Sequence, residues 1–357
     1  MRTGIFGGTF NPPHTGHVQA AKTAMQENNL DLLIIIPTGF PPHKKLAENT
    51  PDPEKRFIMT KNAFNSLHNT EISDIEINSR ENNYTIDTVK KIKKKYNNPD
   101  IYLLVGTDMF TTIDSWKNSE ELLNLVTPVQ LNRTVIPVSS SQIREMLPKR
   151  KGREFLDDSN YSFIIKHRLY GAKPDFDWLV EKAHQMLDPL RLAHVDACRT
   201  EAVRLAERWG ADKDDACEAA ILHDITKKLD FSQNMCIIAE HGNSSCFYDK
   251  KEEKLLHAIT GAIVAQSDFG VSDAVANAIK WHTTGRAKMS ILEKIIYIAD
   301  YIEATRTFPG VDILRKAAYE NIDQAMIMGL EITVNDLLSR SITPNKSTYE
   351  ALADLGR

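Results

Sequence analysis

No stretch of this 357-residue chain approaches the apolar length that a membrane-spanning helix requires, the longest aliphatic run being Leu32–Ile36. Nor does a charged and apolar leader precede the first strand-like segment, Thr3–Phe6, so a cytoplasmic location is expected. Cysteine is scarce. Cys198, Cys217, Cys236 and Cys246 form no C-x-x-C pair, which excludes a zinc ribbon or a disulfide framework and leaves reduced thiols. An excess of positive charge is also missing: the net charge of -4 gives no general attraction to nucleic acid. The lysine cluster Lys90, Lys91, Lys93, Lys94 and Lys95 reads as a solvated helix face. There is neither an internal repeat nor a low-complexity segment. What remains is ordinary globular composition, 42% hydrophobic and 26% charged, long enough for two separate cores.

The character of the chain changes once. Up to about Tyr170, strand-like apolar runs (Thr3–Phe6, Leu32–Pro37, Ile101–Val105) alternate with helical stretches, the pattern of a parallel sheet wound with helices. Gly171-Ala172-Lys173-Pro174-Asp175 carries both helix stoppers. Beyond it only helical periodicity is found, over 177–187, 191–209, 214–227, 252–268, 272–282, 290–304 and 311–338. The expected fold is therefore a Rossmann-like α/β domain over 1–170, a linker over 171–176 and an all-α bundle over 177–357.

Gly7–His17, GGTFNPPHTGH, follows the first strand directly. Gly7 and Gly8 let backbone lie against a polyanion, Pro12 and Pro13 stiffen the loop, and Gly16-His17 opens a helix whose free N–H groups point at bound phosphate. His14 and His17 can both donate to a pentavalent phosphorus. Further on, Ser139-Ser140-Ser141-Gln142-Ile143-Arg144 has the form of a helix N-cap that offers hydroxyls, amides and a guanidinium. The pattern resembles the nucleotidyltransferases with a T/H-x-G-H motif, and within them the bacterial nicotinate-nucleotide adenylyltransferases. Pro41-Pro42-His43-Lys44, Asn83–Thr88, Gly106-Thr107-Asp108 and Trp116 carry the narrower resemblance.

That resemblance implies that Thr85 caps the nicotinate carboxylate and Trp116 stacks on the ring. Gly7, Gly8, Thr9, Phe10, Asn11, Gly106, Asp108, Ser140 and Ser141 would bind substrate, and His14, His17, Lys44 and Arg144 would act on the phosphates. The implied reaction is attack by the 5′-phosphate of nicotinate mononucleotide on the α-phosphorus of ATP, with Mg²⁺ on the triphosphate. One departure stands out. The family's Arg-Pro-Gly-type turn is missing between Trp116 and Ser139, Lys117 replaces the usual aromatic, and only Leu131–Val138 is expected to form a strand there. A domain that senses nucleotide without turning it over is the alternative.

In the second half His194, the adjacent His223-Asp224, His257, His282 and Asp300 each lie against apolar neighbours on separate predicted helices. Four histidines and two carboxylates in a bundle core would each need a partner, and metal supplies one. The order H…HD…D, with two further histidines, is that of the HD phosphohydrolase superfamily. Trp281–Arg286, Glu293–Glu303 and Arg306 to Gly310 resemble the bacterial HD-type symmetrical diadenosine tetraphosphate hydrolases in particular. By that resemblance His194, His223, Asp224 and Asp300 hold one metal, and Asp224 bridges to a second held by His257 and His282. A set of nitrogen and carboxylate donors without thiolate suits iron, manganese or cobalt. Asp224 and Lys227 would be catalytic, while Thr283, Thr284, Arg286 and Arg306 would bind the tetraphosphate that is cut into two ADP. His241 reads as a surface histidine. Hydrolysis of a guanosine polyphosphate or a nucleoside monophosphate, and a metal-stabilised assembly bundle, are the other readings of this half. The sequence leaves room for an oligomer and specifies none.

Overall fold

The computed structural model describes residues 1–40, 46–78, 83–131, 136–241 and 253–356. It separates into two compact units, Met1–Lys173 and Pro174–Arg357, divided inside the segment that carries the helix stoppers.

The first unit is built on strands β1 (Arg2–Gly8), β2 (Leu32–Pro37), β3 (Thr70–Ile72), β4 (Asp100–Gly106) and β5 (Val126–Leu131). They form one parallel sheet in the order β3-β2-β1-β4-β5. The central strands are buried on both faces, which is why they read as continuous apolar runs rather than alternating ones. Alternate residues still serve different layers. Ile5, Ile34, Ile36 and Leu103 pack with Ile86, Val89 and Ile92, whereas Phe6, Leu33, Ile35 and Leu104 pack with Ala21, Ala24 and Phe64. The helices of this unit are α1 (Thr15–Glu27), α2 (Pro53–Phe64), α3 (Thr85–Lys95), α4 (Thr107–Phe110), α5 (Ser119–Leu125), α6 (Ser140–Met146) and α7 (Asp158–Lys166). The chain leaves β1 to one side for β2 and returns to its other side as β4. A doubly wound sheet opens a crevice at that reversal, outside the carboxyl ends of the strands.

The strand expected at Leu131–Val138 lies upstream instead. β5 runs in register with β4 from Val126 opposite Ile101 to Leu131 opposite Gly106, residues 132–135 fall outside the description, and 136–138 are not a strand. Pro128 interrupts the run and hides it from a sequence reading, yet β5 is an edge strand, where a missing N–H is tolerated. Among the described residues β5 forms the edge of the sheet beside β4.

In the second unit the helices are α8 (Phe176–Met186), α9 (Leu192–Trp209), α10 (Lys213–Leu222), α11 (Phe231–Glu240), α12 (Glu253–Phe269), α13 (Asp273–Trp281), α14 (Ile291–Ile302), α15 (Val311–Glu320), α16 (Ile322–Ser339) and α17 (Lys346–Asp354). The helix expected to run unbroken over 311–338 is split at Asn321. Its backbone leaves the helical region (φ -153°) and its side chain accepts from the N–H groups of Asp323 and Gln324, which starts α16. The expected helix over 214–227 ends at Leu222, so His223 and Asp224 sit in the turn beyond it. Among the described residues no helix is long and apolar enough to cross a membrane.

Candidate nucleotide pocket and metal centre

A cavity of about 1090 Å³ occupies the crevice of the first unit. Gly7 and Gly8, at the end of β1, line it with Thr9, Phe10 and Asn11 of the following loop. Phe10 takes a left-handed backbone conformation (φ 46°) that turns its ring back over Gly8, where a Cβ would meet that ring at 3.0 Å. His14 is the N-cap of α1 and His17 lies in its first turn, their ring centroids 3.8 Å apart. The glycine between them has a steric reason, since a Cβ on Gly16 would press on the His14 imidazole at 3.0 Å. The backbone N–H of His14 donates to His17 Nδ1 at 3.2 Å. In the neutral ring this leaves the His17 proton on Nε2, a donor.

The opposite wall comes from α6. Ser139 caps it in a capping box with Gln142, Ser140 Oγ donates to the Pro12 carbonyl at 2.8 Å, and Arg144 donates to the Asn11 carbonyl at 2.6 Å and to Ser141 Oγ at 3.0 Å. Two segments more than a hundred residues apart are thereby tied around one space. Gly106 caps the short α4, Asp108 lies in its first turn, Thr85 opens α3, and with Trp116 these four line the same cavity. Lys117, which replaces the expected aromatic, places its ammonium 3.9 Å from the centre of the Tyr84 ring and 3.5 Å from Asp87. Lys44 lies outside the described residues.

The second unit gathers its six expected ligands into one cluster. Asp224 is 2% exposed, and its two oxygens face different histidines. Oδ2 is 3.5 Å from His223 Nε2 and 3.9 Å from His194 Nε2, while Oδ1 is 3.3 Å from His257 Nε2 and 3.6 Å from His282 Nε2. His194 Nε2 is also 3.1 Å from Asp300 Oδ1. The outward ring nitrogens explain the inward ones. Nδ1 of His223, His257 and His282 donates to the carbonyl of Ala220, Lys254 and Ile279 respectively, at 2.8, 2.8 and 2.7 Å. A carbonyl only accepts, so each neutral ring carries its proton on Nδ1 and turns the Nε2 lone pair to the centre. His194 differs: its Nδ1 is held at 3.0 Å by the carboxylate of Glu303, which also accepts from Thr305.

These donors fit divalent metal ions. His223 Nε2 and Asp224 Oδ1 are buried with no hydrogen-bond partner among the described residues, and His194–His223–Asp224 and Asp224–His257–His282 each bring three ligand atoms within 4.8 Å of one another. The electrostatics agree. Burial lowers His223 and His257 to about 4, so both are neutral at pH 7. Burial would raise Asp224, but its surroundings, with Lys227 and Arg191 at its two oxygens, hold it well below the ordinary carboxylate range. Burial would lower His194 as well, yet Asp300 and Glu303 hold it above the ordinary histidine value.

This arrangement makes metal-free stability sensitive to acid. A histidine depressed on folding contributes stability in full above its unfolded value near 6.5 and loses it as pH falls through the folded value. For the chelated protein, denaturant titration is expected to show a loss on the order of 3 kcal/mol per histidine between pH 6.5 and 4. A flat profile over that window would contradict the buried, neutral state of these rings.

Three cations surround the cluster. Lys227 Nζ is 2.9 Å from His257 Nε2 and 3.3 Å from Asp224 Oδ1. Arg306 donates to Asp300 Oδ1 at 2.5 Å. Arg191, which the sequence reading missed, reaches Asp224 Oδ2 at 2.9 Å. It carried no signal beyond its spacing from His194, whereas Glu303 closed the Glu293–Glu303 segment without being singled out. Arg286, expected at the phosphates, is bound instead to the buried Glu293 carboxylate at 2.7 Å. Thr283 is partly buried, and the buried Thr284 accepts at its carbonyl from Thr348. His241 caps the end of α11 at the surface and stays out of the cluster.

Fold and sites together define two classes: a nucleotide-binding, doubly wound α/β domain, and a helical domain with a histidine and aspartate metal centre. A cytidylyltransferase-like family profile matches residues 5–146, and an HD-domain profile matches 191–305. The probable nicotinate-nucleotide adenylyltransferase/Ap4A hydrolase of Mycoplasma genitalium is 28% identical over 93% of this chain and 97% of its own length. The symmetrical bis(5′-nucleosyl)-tetraphosphatase of Bacillus subtilis is 40% identical over 44% of this chain and 84% of that protein. The probable nicotinate-nucleotide adenylyltransferase of Shouchella clausii is 35% identical over 48% of this chain and 97% of that protein. The chain therefore belongs to two families in tandem, the nicotinate-nucleotide adenylyltransferases in its first unit and the HD-type symmetrical bis(5′-nucleosyl)-tetraphosphatases in its second.

Proposed function

We propose that the protein is a bifunctional enzyme. Its first unit joins nicotinate mononucleotide to the adenylyl group of ATP, giving deamido-NAD and pyrophosphate. Its second cleaves diadenosine tetraphosphate symmetrically into two ADP. The observation that carries the first activity is the convergence of His14, His17 and Arg144 on one cavity whose far wall holds Thr85 and Trp116. The 5′-phosphate oxygen of the mononucleotide attacks the α-phosphorus, and the bond to the pyrophosphate oxygen breaks. His14 and His17 donate to the charge that develops on the phosphoryl oxygens, and Arg144, with Lys44 and the hydroxyls of Ser140 and Ser141, neutralises the leaving pyrophosphate. Gly7 to Asn11 lie along the phosphates, Gly106 and Asp108 along the mononucleotide, Thr85 at the nicotinate carboxylate and Trp116 on the ring. Mg²⁺ accompanies the triphosphate. The pairing of β5 with β4 supports a sheet able to carry this site, and a unit that only senses nucleotide is the alternative.

The second activity rests on the divided carboxylate of Asp224. His194, His223, Asp300 and Asp224 Oδ2 would hold one divalent ion, and His257, His282 and Asp224 Oδ1 another, with iron, manganese or cobalt suited to these donors. Bound there, such ions lower the pKa of a water and stabilise both attacking and leaving oxygens. The chain's own part is to fix the rings through Nδ1, to keep Asp224 ionised, and to set Lys227, Arg191 and Arg306 as counter-charges for the tetraphosphate. Thr283, Thr284 and Arg286 would bind the tetraphosphate beside Arg306, with Arg286 held by Glu293.

Incubating the purified chain with ATP, Mg²⁺ and nicotinate mononucleotide, and separately with diadenosine tetraphosphate and Mn²⁺ or Fe²⁺, tests both halves by product analysis. Deamido-NAD and pyrophosphate are expected in the first reaction, and ADP as the sole nucleotide product in the second. Formation of ATP with AMP would exclude symmetrical cleavage, and nucleotide binding without turnover would return the first unit to a sensor.

A further inference from the structure

We infer that Arg56 is a positioning residue for adenylyl transfer, a buried cation that holds two cavity loops in the position that receives the nucleotide. Arg56 sits on α2 and is fully buried. Its Nη1 donates to the carbonyls of Thr9 at 2.8 Å and Thr38 at 2.6 Å, its Nη2 to that of Gly39 at 3.1 Å, and its Nε to that of Pro51 at 3.3 Å. One guanidinium thus ties the loop after β1 to the loop after β2. Thr9 and Thr38 both line the cavity, and Thr38 N–H donates to the Gly8 carbonyl at 2.9 Å, so the clamp acts where the phosphates would lie.

The charge is the informative part. Among the described residues no carboxylate lies within ion-pair distance of Arg56, and the nearby Asp52 is committed to the backbone and ammonium of Lys55. A guanidinium stays protonated in a protein, and carbonyl dipoles neutralise it only in part. Burying such a charge without an opposite one is costly, and a clamp that served architecture alone would do as well with neutral donors. The loops that Arg56 holds border the cavity in which a nucleotide's phosphates would bring negative charge. A nucleotide there adds negative charge beside the loops that Arg56 holds, and the loops are already set in the position that receives it.

This inference rests on the transferase reading given above. The test compares wild type, Arg56→Lys and Arg56→Gln in the full chain, with ATP and nicotinate mononucleotide as titrants in calorimetry and as substrates in steady-state assays. Arg56→Gln keeps donors and removes charge, so its Kd for ATP should rise about tenfold or more and the ATP-induced rise in Tm should shrink. Arg56→Lys keeps charge and loses the fork, so ATP binding should stay within about threefold while kcat falls about tenfold. A lowered Tm in Arg56→Gln with wild-type Kd and kcat would reduce Arg56 to architecture and overturn the inference. If that variant does not fold, Arg56→Lys decides: unchanged kcat overturns it. Wild type that binds ATP but makes no deamido-NAD would count against the transferase reading instead, and the binding comparison would still stand.

Discussion

Asp224→Ala is expected to abolish hydrolysis of diadenosine tetraphosphate, by about a thousandfold or more, while leaving deamido-NAD synthesis at its wild-type rate. The asymmetry follows from the geometry. The two Asp224 oxygens are what the histidine pairs share, Oδ2 toward His194 and His223 and Oδ1 toward His257 and His282. Without this carboxylate both halves of the centre lose their common anion, and Arg191 and Lys227 lose their neutralising partner. Three of the rings keep their backbone anchors, so the helices have no reason to separate. Elemental analysis of the purified variant should show bound metal reduced together with the activity. Full hydrolysis, or full metal content, in Asp224→Ala would remove the shared-carboxylate centre.

The converse substitution is His17→Ala. Deamido-NAD synthesis is expected to fall by about a hundred- to a thousandfold, the size of losing one aimed donor to a developing oxyanion, with tetraphosphate hydrolysis untouched. His17 is held by the backbone N–H of His14 and by the edge of the Phe10 ring 5.2 Å away, both arising from the same short loop. Its loss removes a donor and loosens the His14 side of the pair, so the effect should fall on kcat more than on the KM for ATP. A variant with unchanged turnover would show that the imidazole touches no reacting group. A loss confined to one of the two activities in either variant would separate the site's chemistry from a general loss of folding.

Local order was legible wherever chemistry is carried by contiguous residues. Gly7–His17 encodes a strand end, a turn and a helix start in one string, and Ser139–Arg144 encodes a capping box, because capping and turn formation are decided within a few residues. The six candidate metal ligands could be picked out because polar groups amid apolar neighbours need a partner wherever they end up. β5 was not legible, since Pro128 argues against a strand until its edge position is known, and neither was the break at Asn321, which interrupts an otherwise helical pattern.

The amino-acid sequence by itself determined the two classes of domain and marked most of the candidate residues that line the cavity or meet in the histidine and aspartate cluster. Only the tertiary structure decided their assignments to one another. That the Asp224 oxygens divide between histidine pairs, that Glu303 rather than a carbonyl orients His194, that Arg286 is bound to Glu293, and that Arg56 ties the loop after β1 to the loop after β2 are relations among distant residues. Such relations depend on how helices and strands pack. Periodicity and local propensity act over a few residues and hold no information about which distant side chain will stand opposite.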